Sequence, residues 1–284
     1  MSNIKKKDDA PITSKGKLDL EEMKKRLRIK SSARTTLSML RTRKAPSLQV
    51  LMMFDITVSM CSYFEHVRRK LEEIAVTVKK LNPNSEFSVF AYRNHGDEEI
   101  GIYYTSPLTS NTTEIYERIR SITGGGGGLD GLTCMEDCLQ KANKLGWEPF
   151  SHKTAKAVVV IGDRPPHGVI DSKDKCPYKV YYEIEVQRLK SKGIKIYTVF
   201  CATGGREEEK VRRFFQWLAK ETRGKCLEIS SKDRIDEMDV LVKWLIGICM
   251  KETKMLDKYF DKLKQEGQLT PSEEKILLML KQGR

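Results

Sequence analysis

A chain of 284 residues with 39% hydrophobic residues and a net charge of +13 can hold one large domain with extensions, or two small domains. No run of eighteen apolar residues occurs and Met1–Asp9 lacks an apolar signal core, so no transmembrane segment is expected; a soluble, intracellular protein is, cytoplasmic with the nucleus as the alternative. The charge is uneven: residues 1–46 hold fourteen Lys or Arg and five Asp or Glu, a net +9, while the remainder carries only +4.

Residues 1–46 read as a basic arm. The first sixteen are polar and without periodicity, which predicts disorder. Leu18, Leu20, Met23, Leu27, Ile29, Leu37 and Leu40, set among basic residues, predict one or two amphipathic helices with a cationic face. Such an arm suits nucleic acid, an anionic surface or an acidic partner; it equally serves as a solvated tail.

Residues 47–250 alternate strand and helix. The apolar run 48–54, ending at Asp55, predicts a buried strand, and a helix follows at 60–80. Glu86–Tyr92 and Ile100–Tyr104 predict two strands joined as a hairpin through the polar turn Asn94–Asp97. Helices are predicted at 112–121 and 134–145, on either side of the glycine run 124–128. Ala157–Ile161 is a buried strand, a helix covers 178–192, and Ile194–Cys201 is a further strand. A helix at 206–222, the short strand Cys226–Ile229 and a helix at 235–250 complete the series. The fold class is therefore α/β: a doubly wound, mostly parallel, Rossmann-like sheet with one antiparallel edge strand and helices on both faces. Residues 251–284 form a helical hairpin, in which Thr270-Pro-Ser-Glu273 is a capping box with Pro at the first helical position.

Seven cysteines, at 61, 134, 138, 176, 201, 226 and 249, are odd in number and scattered, which points to reduced thiols rather than a disulfide framework. Cys134 and Cys138 lie one helical turn apart, but no second pair or nearby His completes a zinc set, so packing accounts for them.

The chemistry concentrates at three predicted strand ends. Asp55, Thr57 and Ser59 leave the first strand together, with spacing i, i+2, i+4. Ligands of open α/β sheets bind at the carboxyl ends of strands, and three hard oxygen donors on one loop suit a hard divalent cation such as magnesium. Taken alone, an aspartate at a strand end also caps a following helix. Thr133 lies at the start of a helix behind the glycine run, where its oxygen can either cap or coordinate. Asp163 follows the central strand and precedes Arg164, Pro165 and Pro166, a placement that packing does not explain. Asp55, Thr57, Ser59, Thr133 and Asp163 thus make one candidate metal set.

This order of elements and motifs resembles the von Willebrand factor type A domain over about residues 48–250. It is most similar to the subgroup found in von Willebrand domain-bearing alpha-kinases, whose Tyr-Arg-Asp-His-Gly-Asp and Asp-Ala-Pro-Pro-His-Gly strings correspond to Tyr92–Asp97 and Asp163–Gly168. Two departures stand out. Thr133 occupies a position where the subgroup carries Asp, with Asp130 as a further candidate ligand, and the residues after 250 are too few for a kinase domain. The resemblance implies that Asp55, Thr57, Ser59, Thr133 and Asp163 surround one Mg²⁺, with Mn²⁺ or Ca²⁺ as alternatives. It also implies that an exposed Asp or Glu of a partner protein completes the shell. His95 and His167 are expected at the rim, in hydrogen-bonding rather than ligating roles, because Mg²⁺ prefers oxygen.

The expected function is metal-dependent protein binding without catalysis. No nucleophile elbow and no phosphate-loop string ending in Lys occurs. The alternatives are a nucleic-acid-associated protein working through its basic arm and, less favoured, a metal-dependent hydrolase using Asp163 and His167.

Overall fold

The computed structural model describes residues 46–127, 131–149, 153–205, 207–229, 235–267 and 269–282. The basic arm expected over 1–46 lies outside them except for Pro46, and Asp130 lies outside them as well.

Six strands form one sheet: β1 (Ser47–Asp55), β2 (Ser85–Tyr92), β3 (Tyr103–Tyr104), β4 (Thr154–Gly162), β5 (Lys195–Cys201) and β6 (Cys226–Ile229). Their order is β3-β2-β1-β4-β5-β6. Every pairing is parallel except β2 with β3. β1 and β4 are buried along nearly their whole length because parallel central strands are covered on both faces.

The helices are α1 (Cys61–Leu81), α2 (Thr112–Ser121), α3 (Met135–Asn143), α4 (Tyr182–Ser191), α5 (Glu208–Glu221), α6 (Ile235–Glu252), α7 (Leu256–Gln265) and α8 (Pro271–Lys281). On one face of the sheet, Leu51, Met53, Val158, Val160, Ile196 and Phe200 pack against Leu139 of α3, Val186 of α4 and Phe215 of α5. On the other face α6 packs against α1, and Trp244 of α6 meets Tyr197 of β5 edge to face at 6.0 Å. α8 opens on the Thr270–Glu273 capping box and lies on α6 at Gly247, where a Cβ would come within 2.6 Å of Leu277 Cδ2. Among the described residues no helix is long and apolar enough to cross a membrane.

Two elements differ from the sequence expectation. The strand expected over Ile100–Tyr104 shrinks to Tyr103–Tyr104, because a 3₁₀ turn occupies His95–Ile100. Asn94 and Asp97 form a reciprocal capping box at its start, and Gly101, at φ +84°, ends it. The helix expected from 178 begins at Tyr182, and Lys179 upstream sits in the left-handed region at φ 57°, which a helix cannot accommodate.

The register positions the chemistry. Phe54 pairs with Ile161 on β4, and Asp55 pairs with Tyr92 on β2. Asp55, Tyr92 and Asp163 therefore emerge side by side. β1 and β4 are also where the strand order reverses, the crevice at which open α/β sheets bind ligands.

Candidate metal centre

Asp55 and Asp163 are both buried at this crevice, 1% and 6% exposed. Asp55 Oδ1 accepts the Thr57 amide at 2.8 Å, which folds the loop back on its own first residue. Thr57 Oγ1 and Ser59 Oγ lie 3.0 Å apart, and Ser59 Oγ donates to Asp163 Oδ1 at 3.1 Å. Arg164 Nε donates to the same Ser59 oxygen at 2.9 Å, which brings a guanidinium to the edge of the cluster. The second oxygens, Asp55 Oδ2 and Asp163 Oδ2, are buried with no hydrogen-bond partner, as is Tyr92 Oη. Gly162 lets Asp55 and Tyr92 approach its backbone closely. A Cβ there would sit 2.9 Å from Asp55 Cβ, 3.1 Å from Tyr92 Oη and 3.5 Å from Asp55 Oδ2.

Two buried carboxylates this close cannot both ionise cheaply. Burial, and then the neighbouring Asp163 charge, raise the Asp55 pKa from 3.8 to about 8. Burial likewise raises Asp163, against the pull of Ser59 and Arg164.

The glycine run braces the first loop. Val58 N donates to Gly126 O and Gly125 N to Ile56 O, each at 2.8 Å. Gly127 has φ +124°, and a Cβ there would lie 2.8 Å from Thr57 Cβ, so only glycine lets the two loops meet. Arg93 holds the run from below, donating to Gly125 O at 2.9 Å and to Gly101 O at 2.6 Å.

The structure thus joins four of the five expected donors, Asp55, Thr57, Ser59 and Asp163, through direct or adjacent contacts. Thr133 is fully buried on the neighbouring loop, with both its amide (3.0 Å) and its hydroxyl (3.2 Å) directed to Pro165 O. It does not cap α3, whose N-cap position is Cys134 without a side-chain bond. Its role in the observed contacts is to tie its loop to the Asp163 segment.

His95 and His167 both lie in a second cluster that sequence reasoning missed, where they contact carboxylates and His95 is also among the residues that could hold a metal ion. Their rings lie 4.9 Å apart, and both contact fully buried Glu136 at the start of α3. His167 Nδ1 is 2.7 Å from Glu136 Oε1. His95 Nε2 is 3.3 Å from that oxygen, 3.0 Å from Asp137 Oδ2 and 3.5 Å from Cys176 Sγ. Burial pulls the His95 pKa down, but the Asp137 and Glu136 carboxylates outweigh it and raise the group to about 9. Burial pushes Glu136 up, but the His167 and His95 hydrogen bonds outweigh it and hold it below its usual value. Burial pushes the Cys176 thiol up to about 12. His95, Glu136, Asp137 and Cys176 form a buried group that could hold a metal ion. In the sequence its members surfaced only singly, His95 within the Tyr92–Asp97 string and Cys176 as one of seven scattered cysteines.

No protein-family model matches the chain, and no curated protein matches it. Among solved structures, it is similar to the pilus adhesin SpaC from Lactobacillus rhamnosus GG in an open conformation, at 12% identity and a TM-score of 0.54. The match covers 72% of this chain and 30% of the adhesin, so the chain spans under a third of that protein's length. At this identity the likeness speaks for the fold, a mixed α/β sheet, and for that alone.

Proposed function

We propose that the chain contains a von Willebrand factor type A-like domain whose Asp55 cluster is a metal-ion-dependent adhesion site for Mg²⁺, and that it acts as a protein-binding module. One observation carries the reading. Two buried carboxylates at the switch point of the sheet, Asp55 and Asp163, each have an oxygen without a hydrogen-bond partner, beside hydroxyls at Thr57 and Ser59. An all-oxygen donor set of two carboxylates and neutral hydroxyls fits a hard divalent cation.

Asp55, Thr57, Ser59 and Asp163 would hold the ion; Thr133 acts from the adjoining loop through Pro165. When bound, the ion supplies an electrophilic coordination position for an acidic ligand. The chain's own residues favour such a ligand. The donor set carries only two negative charges, and Arg164 adds a cation against Ser59, so an incoming Asp or Glu side chain of a partner meets little repulsion. The braced glycine run keeps the Thr57 loop rigid in advance of binding, which reduces the ordering cost of association.

The test is affinity capture with the full chain in Mg²⁺ and in EDTA, alongside Asp55→Ala, read by mass spectrometry. Partners lost both with EDTA and with the variant, and released when one of their own acidic residues is changed to Ala, support the reading. Capture that is indifferent to both treatments overturns it. So does phosphoester turnover by the purified chain that Asp163→Asn abolishes.

A further inference from the structure

The second cluster gathers an imidazole, two carboxylates and a thiol around one point. His95 Nε2 lies 3.0 Å from Asp137 Oδ2, 3.3 Å from Glu136 Oε1 and 3.5 Å from Cys176 Sγ. Cys176 Sγ lies 3.6 Å from Asp137 Oδ2, and the four donor atoms are all within 4.8 Å of one another. One imidazole N–H has a single hydrogen to share among these three neighbours. Glu136 is fully buried, and its Oε2 has no partner.

The same distances suit a tetrahedron. With metal–N and metal–O bonds of about 2.0–2.1 Å and metal–S of about 2.3 Å, the edges of a tetrahedral zinc site are about 3.3–3.4 Å for N···O and about 3.5–3.6 Å for N···S and O···S. The contacts at 3.3, 3.5 and 3.6 Å fall on these values, and the 3.0 Å contact is shorter by a few tenths.

We propose that His95, Glu136, Asp137 and Cys176 form a closed, structural Zn²⁺ site, separate from the Asp55 cluster and independent of its function. The donor set selects the ion: a thiolate and an imidazole favour zinc over magnesium, and two carboxylates complete four ligands. Cys176 coordinates as the thiolate, its proton passing to solvent on binding. His167, 2.7 Å from Glu136 Oε1, holds that carboxylate in place from outside the ligand set.

The site explains how a long irregular segment stays in position. Residues 163–181, between β4 and α4, contain no helix or strand. Long irregular segments in compact domains need anchors or are mobile. Zinc on Cys176 clips the far part of this segment to the first turn of α3 and to the 3₁₀ turn at His95, while Asp163 at its near end stays aimed into the Asp55 cluster.

The test uses the full chain purified without a metal-affinity step. Elemental analysis should find about one Zn²⁺ per chain after dialysis or after zinc titration. X-ray absorption should show one sulfur near ~2.3 Å and three N/O scatterers near ~2.0–2.1 Å. Cys176→Ser should lose the sulfur scatterer and weaken zinc binding at least ~10–100-fold, and Asp55→Ala should keep the zinc. The assignment is overturned if zinc titration leaves the chain without the metal, or if bound zinc has no sulfur neighbour. Loss of zinc in Asp55→Ala would also overturn it, by placing the ion in the other cluster. The absorption spectrum of the unsubstituted chain decides the matter even if Cys176→Ser does not fold.

Discussion

Two carboxylate pairs sit at the same edge of the sheet with opposite company. Asp55 and Asp163 face each other with hydroxyls between them, and burial leaves both short of partners. Glu136 and Asp137 face the imidazole of His95, with His167 and the Cys176 thiol alongside. The physical outcomes diverge. Asp55 is pushed up to about 8 and holds its proton, whereas Glu136 is drawn below its usual value and stays ionised despite full burial. On the proposed reading the first pair takes Mg²⁺ for a partner's acidic group, and the second takes Zn²⁺ in place of the His95 proton to anchor a loop.

The largest effect should come from the compensated pair. Glu136→Ala leaves buried His95, and His167 beside it, without their shared carboxylate, and breaking such a set costs about 3–5 kcal/mol. Urea denaturation of the full chain measures it. A loss below ~1 kcal/mol would place Glu136 outside the framework and break the comparison.

Gly162→Ala attacks the uncompensated pair from behind. The added Cβ lands 2.9 Å from Asp55 Cβ on an adjacent strand, so strain of about 1–3 kcal/mol is expected, together with weaker Mg²⁺ binding. Unchanged Mg²⁺ affinity in a folded variant would show that the close contact of Gly162 with Asp55 does not position the ion's ligands.

The pH response sharpens the contrast further. The Asp55 pKa is higher folded than unfolded, so the metal-free chain holds an extra proton at this site. The stability this provides is full below about pH 4 and is lost as pH rises to about 8. Mg²⁺ competes with that proton, so its affinity should rise over the same window by up to about tenfold per pH unit, with proton release on binding. Calorimetry in two buffers of different ionisation enthalpy reads the proton directly, and pH-independent affinity would contradict the raised Asp55.

Thr133→Ala should be the mildest change. It removes one hydroxyl hydrogen bond to Pro165 O, while the Thr133 amide still donates to that carbonyl, so about 1 kcal/mol is expected. A loss of Mg²⁺ affinity out of proportion to that cost would move Thr133 from loop tether to metal ligand.

The two clusters also differ in how far the sequence exposed them. Asp55, Thr57 and Ser59 lie within five consecutive residues after a run of buried strand, and Asp163 follows another such run, so strand patterning alone places them at one edge. Parallel pairing of β1 with β4 then brings Asp163 beside Asp55. His95, Glu136, Asp137 and Cys176 come from three segments, with His95 and Cys176 81 positions apart. No spacing rule connects them, because the 3₁₀ turn at His95 and the irregular segment 163–181 are fixed by tertiary contacts. A local cause hid the shortening of β3: the Asn94–Asp97 capping box competes with strand pairing, and an alternating apolar pattern does not register that competition.

The most direct measurement is Mg²⁺ titration of the full chain and of Asp55→Ala by calorimetry at pH 8, with thermal melts of both in EDTA. The account predicts one Mg²⁺ bound by the unsubstituted chain and none by the variant. It also predicts that the metal-free variant melts no lower than the metal-free parent, because the substitution removes a carboxylate whose burial outweighs its hydrogen bond from the Thr57 amide. Equal Mg²⁺ binding by the two proteins would contradict it, as would a variant that loses the ion only because it has lost its fold.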